Sequence, residues 1–291
     1  MKQLLVLSGK GGTGKTSISA CLAQLAQNSV IVDADVDAAN LHLLLNPQII
    51  TDENFYSGFQ ANINAKNCTQ CGLCKSLCRF GAISQNNKGE FIIDELLCEG
   101  CGVCADNCPT KSATLEDYNC GKLYTSQTQF GKMVHAELGA GGENSGKLVT
   151  AVRNRAKEIA EDINAQLIVI DGPPGIGCPV IASAGGCDYA VIVTEPTQSG
   201  LHDLKRVTKL MNHFSIATGV VINKADLNEQ VSMEIENFCN QNSFRLLGKI
   251  SYDKAFTSAQ REAKTILEFS PNSKIANQII LIWDKIKFLV S

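Results

Sequence analysis

The sequence predicts an α/β fold, a doubly wound and mostly parallel sheet into which a small α+β domain is inserted. Three observations lead to this fold class. Short unbroken apolar runs alternate with helical patterns along most of the chain, as in parallel strands covered by helices on both faces. Between 58 and 117 the alternation stops, and most of the 13 cysteines lie there. The remaining segments, 1–57 and 118–291, are together long enough to bury one core.

The predicted strands are the apolar runs at 4–7, 30–32, 167–170, 190–193, 219–222 and 246–250. Most of them are separated by helical patterns at 15–27, 147–162 and 199–213. We expect a last apolar helix at 275–289 to cover the sheet, although a helix carrying Lys285 and Lys287 could instead serve as a membrane anchor. The glycine-rich segment 121–146 has little helical period, and we expect it to be a loop.

The composition is that of an ordinary globular protein, with 44% hydrophobic and 19% charged residues and a formal net charge of −3. There is no basic excess of the kind that binds nucleic acid or an anionic membrane. No apolar run reaches the roughly 18 residues of a membrane span. We therefore expect a cytoplasmic protein, in which cysteines are ligands or buried thiols because disulfides are rare there.

A glycine-rich loop connects the first predicted strand to the first predicted helix. It fits the pattern G-x-x-x-x-G-K-[ST]. Its residues are Gly9, Lys10, Gly11, Gly12, Thr13, Gly14, Lys15 and Thr16. Backbone N–H groups of such a loop wrap phosphates, and the following helix adds its positive end. We expect Lys15 to reach the terminal phosphates and Thr16 to bind Mg²⁺.

Lys10 makes this loop resemble the deviant Walker A motif of the MinD, ParA and Mrp ATPases. The resemblance implies a MinD-like P-loop NTPase fold. It also implies a homodimer that forms on nucleotide binding, in which Lys10 reaches the partner's nucleotide. The alternative is that Lys10 is one more local phosphate contact.

Two aspartates end the second predicted strand. Carboxylates at the carboxyl end of a strand point into the crevice where ligands bind in open α/β sheets. The resemblance implies that Asp35 positions the attacking water and that Asp33 lies near the Mg²⁺ shell. The predicted catalytic residues are therefore Lys10, Lys15 and Asp35, whereas Asp37 has no assigned role.

The segment after the run at 167–170 resembles the Walker B strand and switch II of the same family. By this resemblance, Asp171 holds Mg²⁺ through water and Gly172 senses the γ-phosphate through its backbone. Together with Thr16, Asp171 completes the predicted Mg²⁺ site.

The pattern Asn-Lys-x-Asp follows a later predicted strand, in Asn223, Lys224, Ala225 and Asp226. Many GTPases use this pattern to read guanine. In MinD-like ATPases an asparagine near this place contacts adenine, so Asn223 is the predicted base contact. The Walker A type favours ATP, and GTP remains open.

The pattern C-x₂-C-x₂-C-x₃-C occurs twice, the second copy 30 residues after the first. It is the run of bacterial two-cluster ferredoxins, in which the fourth cysteine of each run binds the other cluster. One predicted 4Fe-4S cluster therefore takes Cys68, Cys71, Cys74 and Cys108, and the other takes Cys98, Cys101, Cys104 and Cys78. Zinc is the alternative, but structural zinc sites usually pair two C-x₂-C knuckles. Pro109 follows the second run, whereas Arg79 stands where the first run often has proline.

The remaining cysteines give weaker signals. Cys21, Cys187 and Cys239 lie in apolar surroundings, and we expect them in the core. Cys178 follows the predicted switch II segment, and related dimeric ATPases place cysteine ligands near their dimer interface. We expect a buried thiol at Cys178, with a bridging metal ligand as the alternative.

The whole chain thus resembles a MinD-superfamily ATPase with an inserted two-cluster ferredoxin, and three functions compete. ATP could gate electron transfer from the clusters to a redox partner. An Mrp-like factor could assemble or insert a metallocentre in an apo-metalloprotein. A ParA/MinD-type positioning module is the third reading, which the clusters and the modest charge disfavour. Eight ligands in the full ferredoxin pattern favour stable redox centres, so electron transfer is predicted ahead of assembly.

Overall fold

The computed structural model describes residues 1–139 and 144–290. In chain order these residues form β1 (Lys2–Ser8), α1 (Lys15–Leu25), β2 (Ser29–Asp33), α2 (His42–Leu45), β3 (Gln48–Ile63), α3 (Leu73–Leu77), β4 (Ile83–Gln85), β5 (Phe91–Ile93), α4 (Val103–Asp106), β6 (Ala113–Thr128), β7 (Gly131–Leu138), α5 (Ser145–Asp162), β8 (Leu167–Pro174), α6 (Cys178–Ala184), β9 (Tyr189–Thr194), α7 (Gln198–His213), β10 (Ala217–Asn223), α8 (Glu229–Gln241), β11 (Arg245–Ile250), α9 (Ala255–Arg261), α10 (Ile266–Phe269) and α11 (Lys274–Lys287).

The chain divides into two compact units. The sheet unit consists of Met1–Glu53, Lys122–Leu138 and Ser145–Ser291. The cysteine unit consists of Asn54–Gly121 and Gly139–Asn144. β3 leads the chain out of the sheet unit, and β6 leads it back.

The large sheet has nine strands in the order β11-β10-β9-β1-β8-β2-β7-β6-β3. β1 pairs in parallel with β8 and β9, β2 with β7 and β8, and β10 with β9 and β11. Each predicted apolar run lies within one of these strands. The predicted α/β class with a mostly parallel sheet is therefore confirmed.

The sheet is buried on both faces. Leu4 and Val6 belong to a core cluster with side chains of α1 and α11. Leu5 and Leu7 alternate with them along β1 and so point to the opposite face. All four side chains are 0% exposed. Burial on both faces explains why β1 reads as an unbroken apolar run rather than as an alternating pattern.

The last helix packs on the sheet unit, as expected. Ile275, Ile279, Ile282 and Ile286 of α11 are buried at the four-residue and three-residue spacing of one helix face. The Lys285 ammonium donates a hydrogen bond to the Leu247 carbonyl in β11. Among the residues that the structure describes, no helix is both long and apolar enough to cross a bilayer.

The expectation of a loop at 121–146 was wrong for most of that segment. The end of β6 and all of β7 lie in it, joined by a two-residue turn at 129–130. Thr128 holds the turn, since its hydroxyl accepts from the Phe130 N–H and donates to the Gly131 carbonyl. The glycine content masked buried strand residues such as Met133 and Val134. Residues 140–143 lie outside the described part of the chain.

The cysteine unit repeats one arrangement twice. α3 and α4 each begin after a glycine in the left-handed region, Gly72 with φ 77° and Gly102 with φ 80°. β4 and β5 form an antiparallel pair. The Asn64 N–H donates to the Ser112 carbonyl at 2.8 Å, and 30 residues later the Asp94 N–H donates to the Ala82 carbonyl at 2.8 Å. The two halves of the sequence repeat therefore have matching backbone contacts.

Candidate functional site

The glycine-rich loop lies between β1 and α1 and closes tightly. Gly12 and Gly14 have φ of 80° and 87°, in the left-handed region that favours glycine. A Cβ on Gly14 would lie 2.3 Å from Asn223 Nδ2, and a Cβ on Gly9 would lie 2.3 Å from Asp203 Cβ. The close approach of neighbouring side chains thus explains the glycines at 9 and 14.

A cavity of about 380 Å³ opens beside this loop. The predicted site residues that line it are Gly11, Gly12, Thr13, Gly14, Lys15, Thr16, Asp35 and Asn223. The other predicted residues, Gly9, Lys10, Asp33, Asp171 and Gly172, are outside its lining. Other lining residues were missed by sequence reasoning, among them Ser251, Tyr252, Asp253, Phe256, Thr257 and Gln260.

Three side chains of α1 contact the buried carboxylate of Asp171. Lys15 Nζ lies 2.9 Å from Oδ1, the Ser19 hydroxyl donates to Oδ1 at 2.6 Å, and the Thr16 hydroxyl donates to Oδ2 at 2.8 Å. Asp171 is level with Val6 in the pairing of β8 with β1, at the edge where parallel strands end. The two residues predicted to bind Mg²⁺, Thr16 and Asp171, are thus in direct contact.

Asp33 and Asp35 differ in what their carboxylates do. Asp33, 1% exposed, accepts hydrogen bonds from the Asp35 and Leu41 N–H groups at 3.1 and 3.0 Å. Asp35 lines the cavity, and its carboxylate lies 3.9 Å from Lys15 Nζ. Asp33 therefore shapes the chain after β2, and Asp35 is the carboxylate that a ligand in the cavity would meet.

Burial disfavours the ionised form of both carboxyl groups. Burial raises the pKa of Asp33 to about 7, and the neighbouring Asp171 adds to the shift. Burial also raises the pKa of Asp35 to about 6, although the charge of Lys15 acts in the opposite direction. A cation near Asp35 would favour its ionised form.

Lys10 is held by its own chain. Its ammonium lies 2.8 Å from the Glu195 carboxylate and donates to the Ser199 hydroxyl at 2.9 Å. Glu195 also pairs with Lys224 at 3.1 Å, and Lys224 donates to the Gly12 carbonyl at 2.9 Å. Sequence reasoning missed Glu195, although an acidic residue directly after a buried strand was a usable signal.

The Asn-Lys-x-Asp residues are engaged within the protein. Asn223 Nδ2 donates to the Thr13 carbonyl at 2.7 Å, and its Oδ1 accepts from the Lys224 N–H at 3.0 Å. Asp226 accepts from the Tyr252 N–H at 2.6 Å. This pattern braces the glycine-rich loop and fixes the segment after β11, so the base contact of Asn223 stays a prediction.

Gly172 packs directly against β1. A Cβ at this position would lie 2.6 Å from Leu7 Cδ2 and 3.0 Å from the Val6 carbonyl oxygen. Only glycine fits there without a shift of β1. Its predicted contact with a γ-phosphate stays a prediction.

In the cysteine unit, the eight cysteines line two cavities. Cavity A is lined by Cys68, Cys71, Cys74 and Cys108. Cavity B is lined by Cys98, Cys101, Cys104 and Cys78. Each cavity thus takes three cysteines from one run and the fourth from the other. Among the described residues, no three His, Cys, Asp or Glu side chains are placed to hold a single metal ion.

The sulfur of Cys108 has polar neighbours. The Ser112 hydroxyl lies 3.2 Å from it, the Thr110 hydroxyl lies 3.6 Å away, and the Ala113 N–H donates to it at 3.5 Å. These hydrogen bonds, that of Ser112 first, lower the pKa of the Cys108 thiol to about 6. A thiolate, the form that binds metals, is therefore favoured here.

The cysteines singled out beyond the two runs lie in the sheet unit. Cys21, Cys187 and Cys239 are buried, which confirms them as core residues. Cys178, the first residue of α6, is exposed, so the expectation of a buried thiol there was wrong.

Comparison with known proteins relates the chain to nucleotide-binding proteins. Residues 4–266 match the family described as the CobQ/CobB/MinD/ParA nucleotide binding domain. Uncharacterized protein MJ0578 of Methanocaldococcus jannaschii is 33% identical over 290 residues, 98% of this chain and 96% of that protein. Pyruvate synthase subunit PorD of the same organism is 34% identical over 56 residues, 19% of this chain and 65% of that subunit.

A similar fold is known from solved structures. The septum site-determining protein MinD of Pyrococcus horikoshii, complexed with Mg-ADP, aligns with a TM-score of 0.60 at 18% identity. The alignment covers 99% of this chain and 96% of that one. At this identity the likeness concerns the fold.

We expect Lys15→Ala to abolish nucleotide binding, because it removes the buried cation that lines the cavity. Asp35→Ala should keep binding and lower hydrolysis on the order of 100-fold or more, the usual contribution of a positioned base. Binding is measured with a fluorescent nucleotide and hydrolysis by phosphate release. Asp37→Ala, an exposed neighbour in the same segment, is the control and should retain both. Normal hydrolysis by the Asp35 variant would remove that residue from catalysis.

We expect a pH dependence of stability from Asp33 in the absence of nucleotide and Mg²⁺. A carboxyl group whose pKa is raised on folding stabilises the protein at low pH, and this contribution is lost as pH rises through the folded pKa. Relative to Asp33→Asn, the wild type should therefore lose free energy of unfolding between about pH 4 and about pH 7. Urea unfolding across this range measures the effect.

The exposed Asp162→Asn variant is the control and should parallel the wild type. Parallel curves for the wild type and Asp33→Asn would contradict the expectation.

Proposed function

The chain belongs to the CobQ/CobB/MinD/ParA family of P-loop nucleotide-binding proteins, and we propose that it couples ATP to electron transfer through two 4Fe-4S clusters. The observation that carries the proposal is the pair of cavities in the cysteine unit, each lined by four cysteines. By sequence, the inserted domain is 58–117, and the ATPase domain is formed by 1–57 and 118–291.

The residues of the two cavities fit iron–sulfur clusters better than single ions. A 4Fe-4S cluster takes four cysteine thiolates, one for each iron. Each cavity is lined by four cysteines, which matches this ligand set, whereas structural zinc sites usually pair two C-x₂-C knuckles. When bound, such clusters supply one-electron transfer.

The nucleotide half of the proposal rests on the Asp171 contacts. Lys15 Nζ would move from Asp171 to the terminal phosphates, and Thr16 and Asp171 would hold Mg²⁺. Asp35 would orient the attacking water. Thr13 Oγ1 is buried and has no hydrogen-bond partner among the described residues, although Thr13 lines the cavity. A phosphate oxygen is a suitable acceptor for this hydroxyl.

The residues near the predicted site of the nucleotide base favour ATP over GTP. In GTPases the aspartate of Asn-Lys-x-Asp accepts from the guanine N–H groups. Here the Asp226 carboxylate accepts from the Tyr252 N–H instead. Phe256, like Tyr252, lines the cavity, and an aromatic ring is a suitable contact for a purine.

Dimerisation would give Lys10 its role. Lys10 is outside the lining of its own chain's cavity, and its side chain is 31% exposed. Its charge is balanced by Glu195 in the nucleotide-free chain. The phosphates of a partner's ATP would offer Lys10 a stronger anion, so nucleotide binding and closure of the dimer would be linked.

A MinD-type positioning ATPase is the second candidate function. The match of residues 4–266 to the family that includes MinD and ParA favours it. This function makes no use of the eight clustered cysteines, so the iron content separates the two candidates.

We expect protein purified without oxygen to hold about eight irons per chain, the content of two 4Fe-4S clusters. Cys78→Ser should alter the cluster of cavity B and spare that of cavity A, because Cys78 lines cavity B. Iron analysis and electron paramagnetic resonance (EPR) of each variant test this. Cys239→Ala, which changes a cysteine of the sheet unit that lines neither cavity, is the control. Selective loss of the cavity A signal in Cys78→Ser would refute the ligand assignment.

We expect ATP to change the exposure of the clusters through Lys10. In the wild type a slowly hydrolysed ATP analogue should alter the rate of iron removal by a chelator, with a coupling of about 1–3 kcal/mol. Lys10→Ala should abolish the response, and Lys209→Ala, an exposed lysine of α7, should keep it. Equal rates with and without nucleotide in the wild type would mean that ATP does not act on the clusters.

Transfer experiments separate electron transfer from cluster assembly. Reduced protein is mixed with oxidised cytochrome c and with an apo-ferredoxin, with and without ATP. ATP-dependent oxidation without loss of iron supports electron transfer. Iron appearing in the apo-ferredoxin would favour the Mrp-like assembly function instead.

A further inference from the structure

The internal repeat of the cysteine unit offers a comparison within one molecule. Each residue of the first half has a counterpart 30 positions later, and the matching hydrogen bonds of Asn64 and Asp94 show that the backbones correspond. Side chains that differ between counterparts therefore make the two cavities chemically different.

Cys108, the fourth cysteine of cavity A, has two hydroxyl neighbours. The Thr110 hydroxyl donates to the Ser112 oxygen at 3.1 Å, and the Ser112 oxygen lies 3.2 Å from the Cys108 sulfur. A thiolate bound to iron can only accept, so the Ser112 hydroxyl would then donate to it. Ser112 is 3% exposed, which protects this hydrogen bond from competition with water.

Cys78, the fourth cysteine of cavity B, has no such neighbours at the corresponding positions. The counterparts of Thr110 and Ser112 are Phe80 and Ala82, and both line cavity B. Their side chains contain no donor. At these two positions the sulfur of Cys78 therefore has no counterpart of the side-chain hydrogen bonds that Cys108 accepts.

A second difference concerns charge. Glu99 lines cavity B, whereas its counterpart Thr69 lines cavity A. A carboxylate beside a cluster opposes the negative charge that reduction adds. Glu99 and Arg79, which follows Cys78, are both exposed, so solvent screens both charges and the charge difference is the weaker of the two differences.

Given the proposed function, we propose that cavity A holds the cluster of higher reduction potential and that Ser112, supported by Thr110, raises it. Hydrogen bonds to cluster sulfurs and local net charge are two of the factors that set such potentials. The hydrogen bonds to the fourth cysteine are the main difference between the cavities, and the Glu99 carboxylate beside cavity B acts in the same direction. A single electron donated to the protein would therefore reside in cavity A, and cavity B would provide the stronger reductant.

The test is a redox titration of the full-length, cluster-loaded protein with dithionite, followed by EPR. The wild type should be reduced in two steps. Ser112→Ala should shift only the step at higher potential, lowering the ratio of reduced to oxidised cluster about tenfold at a fixed potential, which equals about 59 mV for one electron. Thr110→Val should shift the same step by less.

The matched control is Ala82→Ser, which places a hydroxyl at the counterpart of Ser112. It should raise the step at lower potential and leave the other step unchanged. Two reduction steps alone do not show that the cavities differ, because repulsion between two reduced clusters can separate the steps of equivalent sites. The test is therefore whether each variant shifts one step and leaves the other unchanged.

The outcomes distinguish failure of the inference about Ser112 from failure of the proposed function. About eight irons per chain with no shift in either Ser112→Ala or Thr110→Val, or with a shift in the step at lower potential, would overturn the inference. The proposed function would stand in that case. A chain that binds no iron would overturn both. If Ser112→Ala fails to keep its clusters, Thr110→Val and Ala82→Ser carry the test.

Discussion

The buried carboxylate of Asp171 holds the nucleotide half of this protein together. A charge without exposure to solvent is costly unless it is paired and hydrogen-bonded, and α1 supplies Lys15, Thr16 and Ser19 for this purpose. The contacts fix the first turn of α1 against the end of β8, and with it the glycine-rich loop that precedes the helix. A bound phosphate would replace Asp171 as the partner of Lys15, and its cation would bind between Thr16 and Asp171. These side chains already lie together, so binding requires little reorganisation of the site.

Much of the sheet and of the cysteine arrangement could be predicted from the sequence, because both depend on local patterns. Parallel strands buried on both faces leave unbroken apolar runs, and ligand chemistry fixes the spacing of cysteines. Contacts between distant residues could not be predicted in this way. The pairing of Lys10 with Glu195 joins residues 185 positions apart. The strands at 121–138 were missed because glycines hid their burial pattern.

Motif residues also turned out to have other partners than the motif suggests. Asn223 and Lys224 brace the glycine-rich loop through the carbonyls of Thr13 and Gly12. Asp226 holds the backbone at Tyr252. A sequence pattern specifies which groups are present, whereas burial and neighbouring backbone decide which of them remain available to a ligand.

The exchange of fourth cysteines has a consequence for the integrity of the cysteine unit. Cys78 belongs to the first run but lines cavity B, and Cys108 belongs to the second run but lines cavity A. A single repeat could complete a set of four cysteines only by pairing with another copy of itself. Each filled cavity would also tie together two segments that are distant in the chain, so the repeats must assemble as one cooperative body and would come apart as one.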